Sequence, residues 1–195
     1  MMCMKFKILS KETKYQGFFR IDVYDFDHEL FAGGWVNPVR REVFERGNAV
    51  AVLLHDPKTD SVLMVEQFRA GAIRDPQGPW MIEIVAGIVE KGESLEDVAR
   101  RESMEEAGCH VESLKHMLDY YPSAGGSTEQ ISLFYAPLDL SLVEEGIHGL
   151  PDEHEDIKVS IVPRSTAMQW IKEGKLKSSL AIIALQWLTL EMLMN

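Results

Sequence analysis

The sequence predicts an α/β fold, a mixed sheet covered by helices on both faces. Three observations carry that reading. Short apolar or alternating runs that suit strands recur along the chain, and only three segments have helical periodicity. The longest apolar runs, AVAVLL at Ala49 to Leu54 and LAIIAL at Leu180 to Leu185, are strand- or core-sized and far short of a membrane span. The chain has 195 residues, 46% hydrophobic, enough for one large core with a small appended subdomain.

Taken in order, Phe18 to Val43 alternates, is rich in aromatics and contains Gly33-Gly34, so it reads as a meander of short strands. The first 45 or so residues have few helix formers. They are expected to form a separate small sheet (1–45), with the main domain over 46–195. Ala49 to Leu54 and Ser61 to Gln67 are two strands around a turn at DPKTD, Asp56 to Asp60. Met81 to Val85, Met117 to Tyr121, Ile131 to Tyr135 and Ile157 to Val162 are further strands. Ser94 to Ala107, Ser165 to Glu173 and Ser179 to Met194 are helices, the last apolar on nearly every side. The alternating acids of DFDHE, Asp25 to Glu29, do not make a calcium loop, because Leu30 stands where the required glycine would be.

The first helix poses the chemical question. Ser94 suits the N-cap, Asp97 the capping-box position and Gly108 the stop. At about 100° per residue, Leu95, Val98 and Ala99 form the buried stripe, and Glu102 and Glu106 continue it. Two carboxylates one turn apart repel by roughly 3 kcal/mol at ~5 Å and an effective dielectric near 20. A solvated acidic face is the ordinary explanation of such a run. Here the pair falls on the inward stripe, and Arg101 has better partners in Glu105 and Glu93. The inward pair is therefore read as ligands for a hard divalent cation such as Mg²⁺.

Charge narrows the partners. The net charge is -11 with a pI near 5.0, and no basic run exceeds a pair. Extended nucleic acid is an unsuitable partner for such a surface. Two cysteines give no disulfide framework, and the N-terminus MMCMKFKILSKETK has no sustained apolar stretch. A cytoplasmic protein without a membrane segment is expected.

Gly87, Glu93, Arg101-Glu102, Glu105-Glu106 and Gly108 together resemble the Nudix box, the signature of the Nudix pyrophosphohydrolases. Ser103 stands where an aliphatic residue or alanine is usual, and Cys109 fills the closing apolar position. The similarity extends through KYQGFF, VRREVFERG, EQFR, VAGIVEKGE, GGSTE, GIHGLPDEHEDI and ALQWL, over roughly residues 12 to 190. It points to the branch that hydrolyses ADP-ribose. The resemblance implies an α/β/α Nudix sandwich, a homodimer that exchanges its N-terminal antiparallel sheet, and cleavage of ADP-ribose to AMP and ribose 5-phosphate.

The same resemblance implies roles for residues. Glu102, Glu106 and Glu155, with the Ala86 carbonyl, would ligate two or three Mg²⁺ ions, with Mn²⁺ as a substitute. Glu105 would hold a water at the metal, and Glu153 would be the general base, with Glu129 next in line. Glu93 and Arg101 would be a structural pair. Arg41, Glu42, Arg46, Arg69, Ile88, Ser123, Gly125 and Glu129 would contact a nucleotide-sugar substrate, and Phe18 and Phe19 would stack on its base. Ala124 replaces a family proline beside Gly125-Gly126, which leaves GDP-mannose or ADP-glucose as other substrates. A binding module that senses such ligands without hydrolysis is the alternative class. The complete carboxylate set favours the enzyme.

Overall fold

A computed structural model of the chain describes residues 4–150, 152 and 154–194. The chain divides into two compact units, one running up to Asn48 and adding Tyr121–Gln130, the other comprising Ala49–Tyr120 and Ile131–Asn195.

The first unit is a three-stranded antiparallel sheet of β1 (Phe6–Gln16), β2 (Arg20–Glu29) and β3 (Trp35–Glu45), in that spatial order. The strands begin earlier than the meander expected from Phe18. The segment FKILSKETKYQ has no clean alternation, and every residue of β1 is exposed, so no burial pattern marks it. The β2–β3 turn uses Gly33 and Gly34 at φ 86° and 82°, a backbone region open to glycine and strained for other residues. Asp25 to Glu29 lie within β2, as strand rather than calcium loop. Tyr121–Gln130 joins this unit through Phe44, whose N–H donates to Gly126 O and whose carbonyl accepts from Thr128 N.

The second unit is built on an eight-stranded mixed sheet, with β4 (Ala49–Asp56) and β5 (Ser61–Phe68) at its centre. β9 (Ile131–Pro137) runs parallel to β4, and β8 (Lys115–Tyr120) pairs antiparallel to β9. On the other side, β11 (Ile157–Pro163) pairs with β5 and β10 (Gly146–His148) with β11. The single strand expected over Met81 to Val85 is two. β6 (Trp80–Glu83) pairs with β5 and β7 (Val85–Ile88) with β4, so the chain changes partner at Ile84. The short β10 was not foreseen in the sequence.

The period-two pattern of the central strands explains the layers. Val50, Val52 and Leu54 of β4, with Leu63 and Val65 of β5, face a core completed by Val98 and Ala99 of α1 (Leu95–Ala107). Ala49, Ala51 and Leu53, with Val62 and Met64, face a second core. That core is closed by Ala167 of α2 (Arg164–Lys172) and by Ala181, Ala184, Leu185 and Leu188 of α3 (Ser179–Met194). The sheet is thus covered on both faces, as expected. Although α3 is apolar nearly all round, it buries one stripe and leaves Leu190, Met192 and Leu193 exposed. Among the described residues no helix is long and apolar enough to cross a membrane.

Candidate active site

α1 begins and ends as its sequence dictates. Ser94 Oγ accepts the Asp97 N–H at 3.1 Å and donates to Asp97 Oδ2 at 2.7 Å. Gly108 ends the helix at φ 62°, its N–H reaching Met104 O while Cys109 N–H reaches Ser103 O. The buried residues are Val98, Ala99, Ser103, Glu106 and Ala107. The inward stripe is therefore turned towards Ser103 and Ala107 relative to the expected one, leaving Leu95 and Glu102 half-buried at its edge. Ser103 fits at a buried position because its hydroxyl donates back to Ala99 O at 2.7 Å.

Glu106 lies deep and is held by neutral donors. Its Oε2 accepts the Ala86 N–H at 3.0 Å and its Oε1 accepts Gln67 Nε2 at 3.2 Å. Burial pushes its carboxyl up to about 8, against those two hydrogen bonds. In an extended strand a residue's N–H and C=O lie on the same edge. The Ala86 carbonyl therefore faces the side on which Glu106 lies.

Glu102 lies directly over β7. A Cβ on Gly87 would overlap the Glu102 carboxylate, so the glycine makes room for it. Burial raises the Glu102 pKa, and the neighbouring charges of Glu105 and Glu155 push the same way. Glu155 is half-buried, and its Oε2 accepts the Leu150 N–H at 3.1 Å. Gly149, at φ 98°, gives it clearance.

Arg101 neutralises the outer carboxylates. Its Nε and Nη2 donate to the two oxygens of Glu93 at 3.1 and 3.2 Å, and its Nη1 donates to Glu105 at 2.9 Å. Nη1 also reaches Glu102 Oε1 at 2.8 Å. That last bond corrects the expectation that Glu102 stands clear of Arg101. The geometric reason is that Glu102 sits at the edge of the stripe, beside the arginine. Hydrogen bonding to Arg101 holds the Glu93 carboxyl below the usual range.

The same region contains two residues that the sequence reading did not single out. Gln67 fixes Glu106, and Glu83 pairs with Arg69 Nε at 2.5 Å. Their signal was present in the sequence as polar residues inside buried strands, EQF and MIEIV.

As they stand, no three His, Cys, Asp or Glu side chains among the described residues converge as a ready-made ion site. Each carboxylate is turned to a protein donor: Glu106 to Ala86 N–H and Gln67, Glu102 to Arg101, Glu155 to Leu150 N–H. The donor set still suits Mg²⁺. It consists of hard oxygens, and Glu106 accepts from neutral donors only. Glu153, expected to be the general base, lies outside the described residues.

The first unit holds a separate group of expected residues. Arg46 Nε lies 3.3 Å from Glu129, and the Arg46 guanidinium lies over the Phe19 ring at 5.4 Å from its centroid. Phe19 packs edge-on against Phe44 and Phe18, so Phe19 is a supporting ring and Phe18, 88% exposed, is the free one. Arg41 and Glu42 are exposed on β3, with Arg41 Nη1 donating to Arg40 O. Ile88 ends β7 in the second unit. Ser123 O accepts the N–H groups of Gly126 and Ser127, which closes the turn containing Ala124 and Gly125. Neither Gly125 nor Gly126 has a positive φ, so this turn does not require glycine.

The NUDIX domain model matches residues 45–191. The chain is 48% identical to the ADP-ribose pyrophosphatase of Escherichia coli (strain K12) over 184 residues, 94% of this chain and 88% of that protein. It is 50% identical to the ADP-ribose pyrophosphatase of Haemophilus influenzae (strain Rd), covering 94% of this chain and 86% of the relative. The GDP-mannose pyrophosphatase of Shigella flexneri serotype 5b is more distant, at 33% over 157 residues, 80% of this chain and 81% of that protein. The solved structure titled "Crystal structure of ADP compounds hydrolase" shares the fold, with a TM-score of 0.72 at 18% identity over 95% of this chain and 92% of that one.

Proposed function

Because this chain belongs to the Nudix family, we propose that it is the pyrophosphohydrolase that splits ADP-ribose into AMP and ribose 5-phosphate. The observation that carries the reading is the pair Glu102 and Glu106 on one edge of α1, seated over Gly87 and against Ala86. Identity to the ADP-ribose pyrophosphatases exceeds identity to the GDP-mannose enzyme, which favours ADP-ribose over other nucleoside diphosphate sugars.

Glu102, Glu106, Glu155 and the Ala86 carbonyl would hold Mg²⁺, two or three ions in all, with Mn²⁺ able to replace it. The ions would supply neutralisation of the pyrophosphate oxygens and a more acidic attacking water. The protein's own groups do the rest. Gln67 and the Ala86 N–H orient Glu106, and Arg101 fixes the loop acid Glu93 against the helix. Glu153 takes the proton of the attacking water, and Glu105 helps to hold that water in line. Arg69 binds phosphate oxygens, to which an arginine fork is matched. In the first unit Arg41, Glu42, Arg46 and Phe18 serve the nucleotide, and Ser123, Gly125 and Glu129 the terminal ribose. Ile88 supplies an apolar contact to the substrate.

The assembly proposed is a cytoplasmic homodimer that exchanges its N-terminal sheets. A three-stranded sheet gains independent stability by covering an apolar face. Here β1 is exposed along its whole length, and Phe6, Phe18 and Phe31 are exposed by 70%, 88% and 99%. Light scattering at micromolar concentration should give twice the 22.1 kDa chain mass.

The primary test incubates the protein with Mg²⁺ and ADP-ribose, GDP-mannose, ADP-glucose or NADH and follows nucleoside monophosphate by chromatography. ADP-ribose preferred at least about tenfold supports the reading, since that ratio is the net scale of one hydrogen bond. Preference for another sugar would place the specificity change in Ser123 to Glu129. Binding of ADP-ribose without turnover would make the chain a sensor.

A further inference from the structure

We propose that Glu83 is a positioning residue for Arg69, aiming its guanidinium at the diphosphate of the substrate. This rests on the pyrophosphohydrolase reading above. Glu83 lies at the C-terminal end of β6, opposite Val65, and is only 7% exposed. An ionised carboxylate that deep is stabilised by a cationic partner, because burying the charge unpaired is strongly unfavourable. Its partner is Arg69, and the contact is made through Nε at 2.5 Å.

The choice of nitrogen gives the pair its meaning. An arginine has five N–H donors on a planar fork, of which Nε presents one. A structural pair would most efficiently take a bidentate form, as Arg101 does with Glu93 through Nε and Nη2. Glu83 instead grips Arg69 at the stem side of the fork. The Arg69 side chain remains 41% exposed while its anchor is buried, so part of the guanidinium stays open to solvent. Arg69 is extended and follows Gln67 by two residues, so its side chain leaves the strand on the same face as the amide that holds Glu106. A diphosphate held at Glu102 and Glu106 would meet that open part of the guanidinium.

The pair also fixes the geometry of the loop. Arg69 N–H donates to Pro79 O at 2.8 Å, so the backbone of Arg69 is tied to the start of β6 while its side chain is tied to the end. A guanidinium held at both points has little rotamer freedom left to lose when substrate binds, which lowers the entropic cost of the contact.

The test compares Glu83→Gln, Arg69→Lys and the double variant in steady-state kinetics with ADP-ribose and Mg²⁺. Wild-type turnover, measured first, tests the underlying reading separately. Glu83→Gln should raise KM about tenfold, the scale of one charge-assisted hydrogen bond, with a smaller change in kcat. In the Arg69→Lys background the same change should have almost no further effect on KM, because a lysine lacks the fork that Glu83 aims. Glu83→Asp should recover part of the KM. A Glu83→Gln protein with wild-type KM overturns the proposal, whether or not its melting temperature falls. So does a KM effect that adds in full to that of Arg69→Lys, which would mean that Glu83 acts elsewhere. Should Glu83→Gln fail to fold, Glu83→Asp alone decides, since a shortened anchor that leaves KM unchanged rules the aiming role out.

Discussion

The two edges of α1 use the same chemical group for opposite ends. On the outer edge, Glu93 and Glu105 meet Arg101 at hydrogen-bonding distance, and that contact holds the Glu93 carboxyl below its usual range. On the inner edge, Glu106 has the same carboxylate but only an amide and a peptide N–H for company, and burial raises its pKa to about 8. Glu102 stands between, half-buried and sharing Arg101. The contrast shows which acids stabilise the fold and which are kept electrostatically unsatisfied. A carboxylate gripped by an arginine through both oxygens, as Glu93 is, has little left to offer a cation. One held by neutral donors has no competing cation beside it, and a bound metal ion would draw off the proton that burial favours.

The largest effect should come from the inner edge. Glu106→Gln or Glu102→Gln should lower kcat at least about a thousandfold under saturating Mg²⁺ while circular dichroism stays unchanged, since a ligand to the catalytic ion is lost. Near-normal turnover in either variant would remove both from the metal site. Glu153→Gln should slow turnover about a hundredfold or more, the usual worth of a general base, and leave Mg²⁺ affinity by calorimetry nearly unchanged. If its rate is normal, Glu129 becomes the base to test.

Gly87→Ala comes next and sharpens the boundary between the edges. The new methyl would occupy the space of the Glu102 carboxylate and push that side chain off β7. A misplacement of about 1 Å is expected to reduce kcat by roughly a hundredfold, with little change in melting temperature because the displaced atoms end a flexible side chain. A fully active Gly87→Ala enzyme would show that Glu102 works from another position.

The smallest effect belongs to the outer edge. Glu93→Gln should lower the melting temperature at pH 7 modestly and leave kcat within a few-fold. Its sign with pH follows from the depressed Glu93 pKa. The folded state holds the proton more weakly than the unfolded chain, so the stabilisation is present above the usual glutamate range and is lost as pH falls through it. The melting-temperature gap between wild type and variant should therefore close on acidification. A gap that widens towards low pH would mean that Glu93 is not paired with Arg101 in solution.

Much of this was legible beforehand. The capping box at Ser94, the glycine stop at Gly108 and the Glu93–Arg101 pair are local or near-local, so spacing alone finds them. The two-sided core was also readable, because fully apolar runs such as Ala49–Leu54 bury alternate side chains on opposite faces of a sheet. β1 falls in the segment expected to be sheet, but it could not be placed as a strand because all its residues are exposed and no periodicity marks it. Gln67 and Glu83 were missed because a polar residue in a strand announces burial only once its partner strand is known.

The sequence by itself determined the chemistry: which carboxylates exist, their spacing along α1, and the glycine that must lie before them. Local rules suffice for that, since one helical turn fixes which side chains are neighbours. The tertiary structure alone decided how each acid is used. Which edge of α1 faces β7, that Glu106 meets an amide instead of an arginine, and that Arg69 is anchored by Glu83 depend on strands distant in sequence. Burial and long-range pairing set proton affinity and orientation, and neither is a property of the chain until it folds.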